Sequence, residues 1–88
     1  MENDDRPLAR CKYVVFTQGG GSFKDFLIFP ETISHDTFEY LRPTSAGFCR
    51  LYHDKETDSI HWDCYGKSTS LGISMVEEDN KTLNRREI

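Results

Sequence analysis

A chain of 88 residues supports one hydrophobic core and leaves no room for a second, so a single domain is expected. Leu, Ile, Val and Phe contribute 20 residues and aromatics 12% of the chain, just above the composition at which burial no longer offsets chain entropy. The net charge of -4 favours solubility and disfavours direct nucleic-acid binding, and no apolar run reaches the roughly 18 residues that a membrane-spanning helix needs.

Half of the charged side chains fall within residues 1 to 12 and 77 to 88, whereas every aromatic lies between Tyr13 and Tyr65. This division predicts a flexible N-terminal segment over 1–12, one α+β domain over 13–76, and a polar tail or short helix over 77–88. Cys11, Cys49 and Cys64 are an odd number with no basic and apolar leader before them. Free thiols in a reducing cytoplasm are therefore expected rather than a disulfide framework.

In chain order, Lys12–Thr17 is β-branched and aromatic and predicts a strand that enters a turn at Gly19-Gly20-Gly21-Ser22. The run Phe23–Phe29 carries apolar residues on both faces toward its distal end, which predicts a returning, central strand. Pro30 ends it. Ser34 is placed to cap a helix over His35–Leu41, with Ile33 and Phe38 spaced as a hydrophobic staple. Pro43 stops that helix, and His35, Asp36 and Glu39 should face water.

Residues 45–53 and 60–66 predict a second hairpin around the polar loop Asp54–Asp58, with Trp62 buried against the His35–Leu41 helix. Ser68–Val76 alternates, with Thr69, Leu71, Ile73 and Met75 on one side, and reads as a half-buried strand. Asp79 could then cap a helix over Asn80–Glu87 that has little apolar surface beyond Leu83 and Ile88. The resulting order is ββαββ(β)α: an α+β fold with a largely antiparallel sheet of four to five strands, one short helix on a face and a C-terminal helix. A sheet so thinly covered leaves one face open, which predicts a homodimer.

The most chemical-looking group is Cys49-x3-His53-x7-His61-x2-Cys64. If Cys49 faces Cys64, His61 points away; a register shifted by one gathers Cys49, His53 and His61 but turns Cys64 over. Neither register assembles four ligands, so no metal is expected, and buried cysteines with surface histidines are the simpler reading. Arg50 beside Cys49 points to the opposite face of a strand, which removes it as an activator of a cysteine nucleophile. Asp25, Glu31, Asp36, Asp58 and Asp63 are dispersed singly, unlike an acid/base pair. The glycine run lacks the helix and the Lys-Ser or Lys-Thr that a phosphate loop requires. A non-enzymatic protein without a cofactor is expected.

One further stretch, Tyr65-Gly66-Lys67-Ser68-Thr69-Ser70-Leu71-Gly72, combines hydroxyls, a lysine and two glycines. Tyr65, Lys67, Ser68 and Ser70 are its candidate ligand- or partner-binding residues, able to hold an anion or a polar edge. Together with Ser45-Ala46-Gly47-Phe48 and the acidic Glu78-Asp79, this stretch resembles a group of small phage and prophage accessory proteins that pair an S-A-G-F strand with a Y-G-x-S-x-S-L strand. The resemblance covers residues 45–79 and brings no catalytic residue with it. It implies a phage-encoded protein, in the host cytoplasm, that binds and inhibits a host or defence-system protein. A module that sequesters a small anionic molecule such as a nucleotide is the alternative.

Overall fold

The computed structural model describes residues 6–18 and 23–84. The expected glycine turn, and the Arg85 and Arg86 end of the C-terminal helix, lie outside the described residues.

Four strands form one antiparallel sheet: β1 (Ala9–Gln18), β2 (Phe23–Pro30), β3 (Ser45–Asp54) and β4 (Ser59–Tyr65), in the spatial order β2-β1-β3-β4. A small second hairpin joins β5 (Lys67–Ser68) to β6 (Ile73–Ser74), and a helix α1 (Glu78–Asn84) closes the described chain. Both expected hairpins and the α+β class are present. The central strands, however, are β1 and β3, and β2 is an edge. Tyr13, Val14 and Val15 of β1 are each fully buried, so this strand has apolar cover on both faces. The two apolar faces of β2 arise for another reason, because the sheet is covered on both sides out to its edge. β1 also starts at Ala9, inside the segment expected to be flexible.

The pleat divides the core in two. On one face Tyr13, Val15, Cys49 and Cys64 pack with Phe26, Ile28 and Trp62, and α1 lays Leu83 over them at 2% exposure. Complete burial of one leucine contributes about 1.5 to 3 kcal/mol, so a single residue is enough to dock a short helix. The thin apolar surface of the C-terminal segment therefore did not prevent docking. The sheet face whose expected exposure motivated self-association is the one that α1 covers. Trp62 is half-buried on this α1 side, not against the His35–Leu41 helix as expected.

The other face holds Val14, Phe29 and Ala46, covered by Ile33, Phe38 and Leu41 and by Leu71 and Ile73 of the small hairpin. Residues His35–Leu41 form a 3₁₀ helix with non-helical angles at Phe38, too short a piece between Pro30 and Pro43 for a stable α-helix. Ser34 makes no side-chain cap bond, and His35 is not wet but 4% exposed. The alternating Ser68–Val76 run does not form one strand. Ser68 Oγ accepts from Leu71 N at 3.2 Å, Gly72 N donates to the Ser68 carbonyl at 2.9 Å, and Gly72 sits at φ +72, which together fold the run into a turn.

α1 also seals the outer edge of β4. Cys64 N donates to Asn80 Oδ1 at 2.8 Å, Trp62 N to Asn84 Oδ1 at 2.7 Å, and Asn84 Nδ2 to the Trp62 carbonyl at 3.0 Å. Two asparagines one helical turn apart thus satisfy the backbone groups that an open edge would present to another chain. Because the Trp62 and Cys64 amides point outward, Leu51–Trp62 and Cys49–Cys64 are the narrow, non-hydrogen-bonded pairs of the β3–β4 ladder. Alternation then makes Cys11–Cys49 a wide pair and Arg10–Arg50 a narrow pair of the β1–β3 ladder, in keeping with the Leu51 carbonyl accepting from Leu8 N at 2.6 Å.

Candidate interaction surface

The 3₁₀ helix lies over β1 and the adjoining part of β2 on its sheet face. Its cover ends at His35, whose Nε2 donates to the Gly47 carbonyl at 2.8 Å and whose ring stands edge-on to Phe48 at 5.7 Å. Lys12 closes the same border, with Nζ donating to the Ile33 carbonyl at 2.9 Å and lying 5.9 Å from the Phe48 ring. Beyond this border the same face continues across β3 and β4 with Phe48, Arg50 and Tyr52 on one strand and His61, Asp63 and Tyr65 on the other. Of these, His61 and Asp63 are exposed and the rest half-buried.

Two ring stacks order this open half. Phe48 and Tyr65 stack at 5.7 Å and Tyr52 and His61 at 5.8 Å, each pair being direct cross-strand partners. Arg50 lies between the stacks: its guanidinium is 4.0 Å from the Tyr65 ring centroid, and Nη1 donates to Tyr52 Oη at 3.3 Å. Those tyrosine contacts hold the Arg50 pKa above its ordinary value. Although Asp63 faces Arg50 in register, no ion pair joins Arg10 or Arg50 to a carboxylate among the described residues. Arg10 faces Arg50 directly across the narrow pair, an arrangement of like charges that destabilises a sheet when left uncompensated.

The four residues singled out from the sequence are placed differently. Tyr65 belongs to the open face. Ser68 is 1% exposed, and its hydroxyl is engaged in the β5–β6 turn with Leu71 N and, at 3.5 Å, Ser70 Oγ. Lys67 and Ser70 are exposed. The structure thus joins Ser68 to Ser70 within a turn and sets Tyr65 in a separate group of contacts. Cys49 faces Cys64, with both thiols buried, while His61 lies on the opposite face and His53 meets Asp58 at 2.9 Å near the hairpin tip. Among the described residues no group of three or more His, Cys, Asp and Glu is placed to hold a metal ion. Among the described residues no helix is long and apolar enough to cross a membrane.

Arg10, Lys12, Phe48, Arg50 and Tyr52 were not among the candidate binding residues read from the sequence. The alternation Phe48, Arg50, Tyr52 was visible in it, since strand neighbours two apart share a face. The pairing that sets Arg10 and Lys12 beside them depends on a contact between segments about forty residues apart, and no local pattern encodes it. Neither a protein-family model, nor a curated protein, nor a solved structure matches the chain.

Proposed function

We propose that the chain is a non-enzymatic binding domain whose open β3–β4 face takes an acidic, aromatic-bearing segment of a partner protein. The observation that carries this reading is the Arg10–Arg50 pair: two arginines opposite one another in register, neither ion-paired to a carboxylate among the described residues, with the Arg50 guanidinium held between two ring stacks. A carboxylate from a partner would relieve the repulsion and use donors that Arg50 leaves free beyond Tyr52, because a guanidinium carries five. Aromatic and arginine side chains also carry most of the energy of protein interfaces. The resemblance of residues 45–79 to phage accessory proteins makes a host or defence-system protein, inhibited by occupation of its surface, the first partner class to examine. Sequestration of a nucleotide by Lys67, Ser68 and Ser70 draws less support, since the Ser68 hydroxyl is committed to its own turn.

The test is a titration of isotope-labelled protein with a peptide of alternating Glu and Tyr, followed by amide chemical shifts. Shifts confined to residues 10–12, 48–52 and 61–65, weakened by salt and lost in the double variant Arg10→Gln, Arg50→Gln, are expected. Tighter binding of a short single-stranded oligonucleotide on the same face, or shifts centred on residues 67–72 with a nucleotide, would overturn the reading.

A further inference from the structure

The three cysteines form one row across the sheet. Cys11 on β1 faces Cys49 on β3, and Cys49 faces Cys64 on β4. All three are free thiols in the same apolar cluster, Cys49 and Cys64 at 0% and 3% exposure and Cys11 half-buried. The row lies on the α1 face and takes no part in the open surface described above.

The register fixes the spacing. Cys49–Cys64 is a narrow pair, with Cα atoms about 4.5 Å apart, and Cys11–Cys49 a wide pair at about 5.5 Å. Both fall within the range of about 4.4 to 6.8 Å over which a disulfide closes without backbone movement. Direct cross-strand partners also extend their side chains from the same face, so the three Cβ atoms succeed one another along a line perpendicular to the strands. Thiol–disulfide exchange proceeds by attack of one sulfur on another along the bond that breaks. A row of three is the arrangement that lets a disulfide move by one position.

The geometry points to a thiol–disulfide relay, in which half-buried Cys11 accepts oxidising equivalents from a low-molecular-weight disulfide such as oxidised glutathione and delivers them to a Cys49–Cys64 cross-strand disulfide. In the first step the Cys11 thiolate attacks one sulfur of oxidised glutathione, forming a mixed disulfide and releasing one glutathione thiolate. The Cys49 thiolate then attacks the Cys11 sulfur and expels the second glutathione. Finally the Cys64 thiolate attacks the Cys49 sulfur, forms the Cys49–Cys64 bond and returns Cys11 as a thiolate. The three protons given up by the attacking thiols are taken by the two glutathione thiolates and by Cys11. Two protein thiols are thereby oxidised by two electrons while one glutathione disulfide is reduced to two thiols.

Burial raises all three thiol pKa values, that of Cys64 to about 12, with the charge of Glu31 adding to the effect at Cys11. The relay is therefore slow at neutral pH and accelerates as pH rises. Direct entry at Cys49 or Cys64 is closed by α1 and the sheet. The product would cross-link β3 to β4, the two strands that display Phe48, Arg50, Tyr52 and Tyr65.

The experiment exposes the reduced full chain to oxidised glutathione under native conditions, quenches with acid, alkylates the remaining thiols and maps the peptides by mass spectrometry. The expected end product has lost two hydrogens, carries a Cys49–Cys64 cross-link and has Cys11 alkylated. Cys11→Ser, shown folded by an unchanged unfolding midpoint, should slow formation of the cross-link about tenfold or more, and Cys11→Ala should do the same. Cys64→Ala should stop the sequence at a Cys11–Cys49 disulfide. Glutathione retained on Cys11 as the end product, or a Cys11→Ser variant oxidised at the wild-type rate, would overturn the relay.

Discussion

Tyr13 Oη donates to Asp79 Oδ2 at 2.5 Å, joining the most buried strand to the first turn of α1 across 66 positions of sequence. Asp79, at 0% exposure, also accepts from Ser45 Oγ at 2.7 Å and Val76 N at 3.2 Å. The carboxyl group thus ties β1, the start of β3 and the chain entering α1 at a single point. The Lys24–Glu78 ion pair at 2.8 Å links β2 to the same helix, but it is exposed and contributes little.

Replacing Asp79 by Ala removes the acceptor shared by the buried Tyr13 and Ser45 hydroxyls. A loss of about 2 to 5 kcal/mol is expected in denaturant titration, against about 1 to 2 kcal/mol for Tyr13→Phe, which leaves Asp79 its other donors. Equal effects of the two substitutions would show that Asp79 does not organise the node.

Stability should fall at alkaline pH. Burial, then the hydrogen bond to and charge of Asp79, raise the Tyr13 pKa above its ordinary 10.0, and burial raises Cys49 and Cys64 above 9.0. In each case the folded state favours the neutral form, so the contribution is complete below the unfolded value and is lost as pH rises through and beyond it. Unfolding midpoints should therefore decline from about pH 9 upward, and Tyr13→Phe should flatten the part of the decline above pH 10. A flat profile between pH 8 and pH 11 would contradict the assignment.

A second dependence arises on the acid side. The carbonyl of Gly47 can only accept, so His35 Nε2 carries a proton. Burial lowers the His35 pKa from 6.5, and the charge of Lys12 adds to the lowering against the opposing Gly47 bond and Asp36. The folded state thus disfavours the charged ring, and stability is lost as pH falls below 6.5. His35→Gln, which keeps a donor for Gly47, should remove that loss when midpoints are compared at pH 7 and pH 5.5.

Gly47 is required by closeness rather than by an unusual backbone angle. A Cβ placed there would lie 2.6 Å from the Tyr65 carbonyl, a backbone atom that moves only if β3 and β4 separate. Gly47→Ala should cost about 1 to 3 kcal/mol and disturb the amide resonances of Tyr65 and Gly66. An unchanged stability would mean that the strands have room to part.

Hydrogen exchange can examine the sealed edge. Asn84→Ala removes the acceptor for Trp62 N and the donor to its carbonyl. The Trp62 amide should lose protection while the Tyr13 and Val14 amides in the sheet centre keep theirs. The loss in stability should be about 1 to 3 kcal/mol. Retained protection at Trp62 would indicate that the edge is shielded without the asparagine.

The strands of this protein were legible because their signal is local. The Lys12–Thr17 run, the return at Phe23 and the polar loop before Ile60 mark hairpins whose partners lie next to them in sequence, and the register that faces Cys49 with Cys64 is the one found. What the sequence could not decide was which strand lies inside and what covers each face. β2 and β1 have similar apolar patterns, and only the long-range pairing of β1 with β3 makes β2 the edge. His35 and Asp79 are polar residues in polar segments, and each is buried because a partner far along the chain, Gly47 or Tyr13, satisfies it. The alternation from Ser68 to Val76 was misleading because the Ser68 hydroxyl and Gly72 favour a turn over an extended strand. The open surface follows the same division: the sequence supplied Phe48, Arg50 and Tyr52 on one side of a strand, and tertiary pairing set Arg10 against Arg50 and left that half of the sheet uncovered.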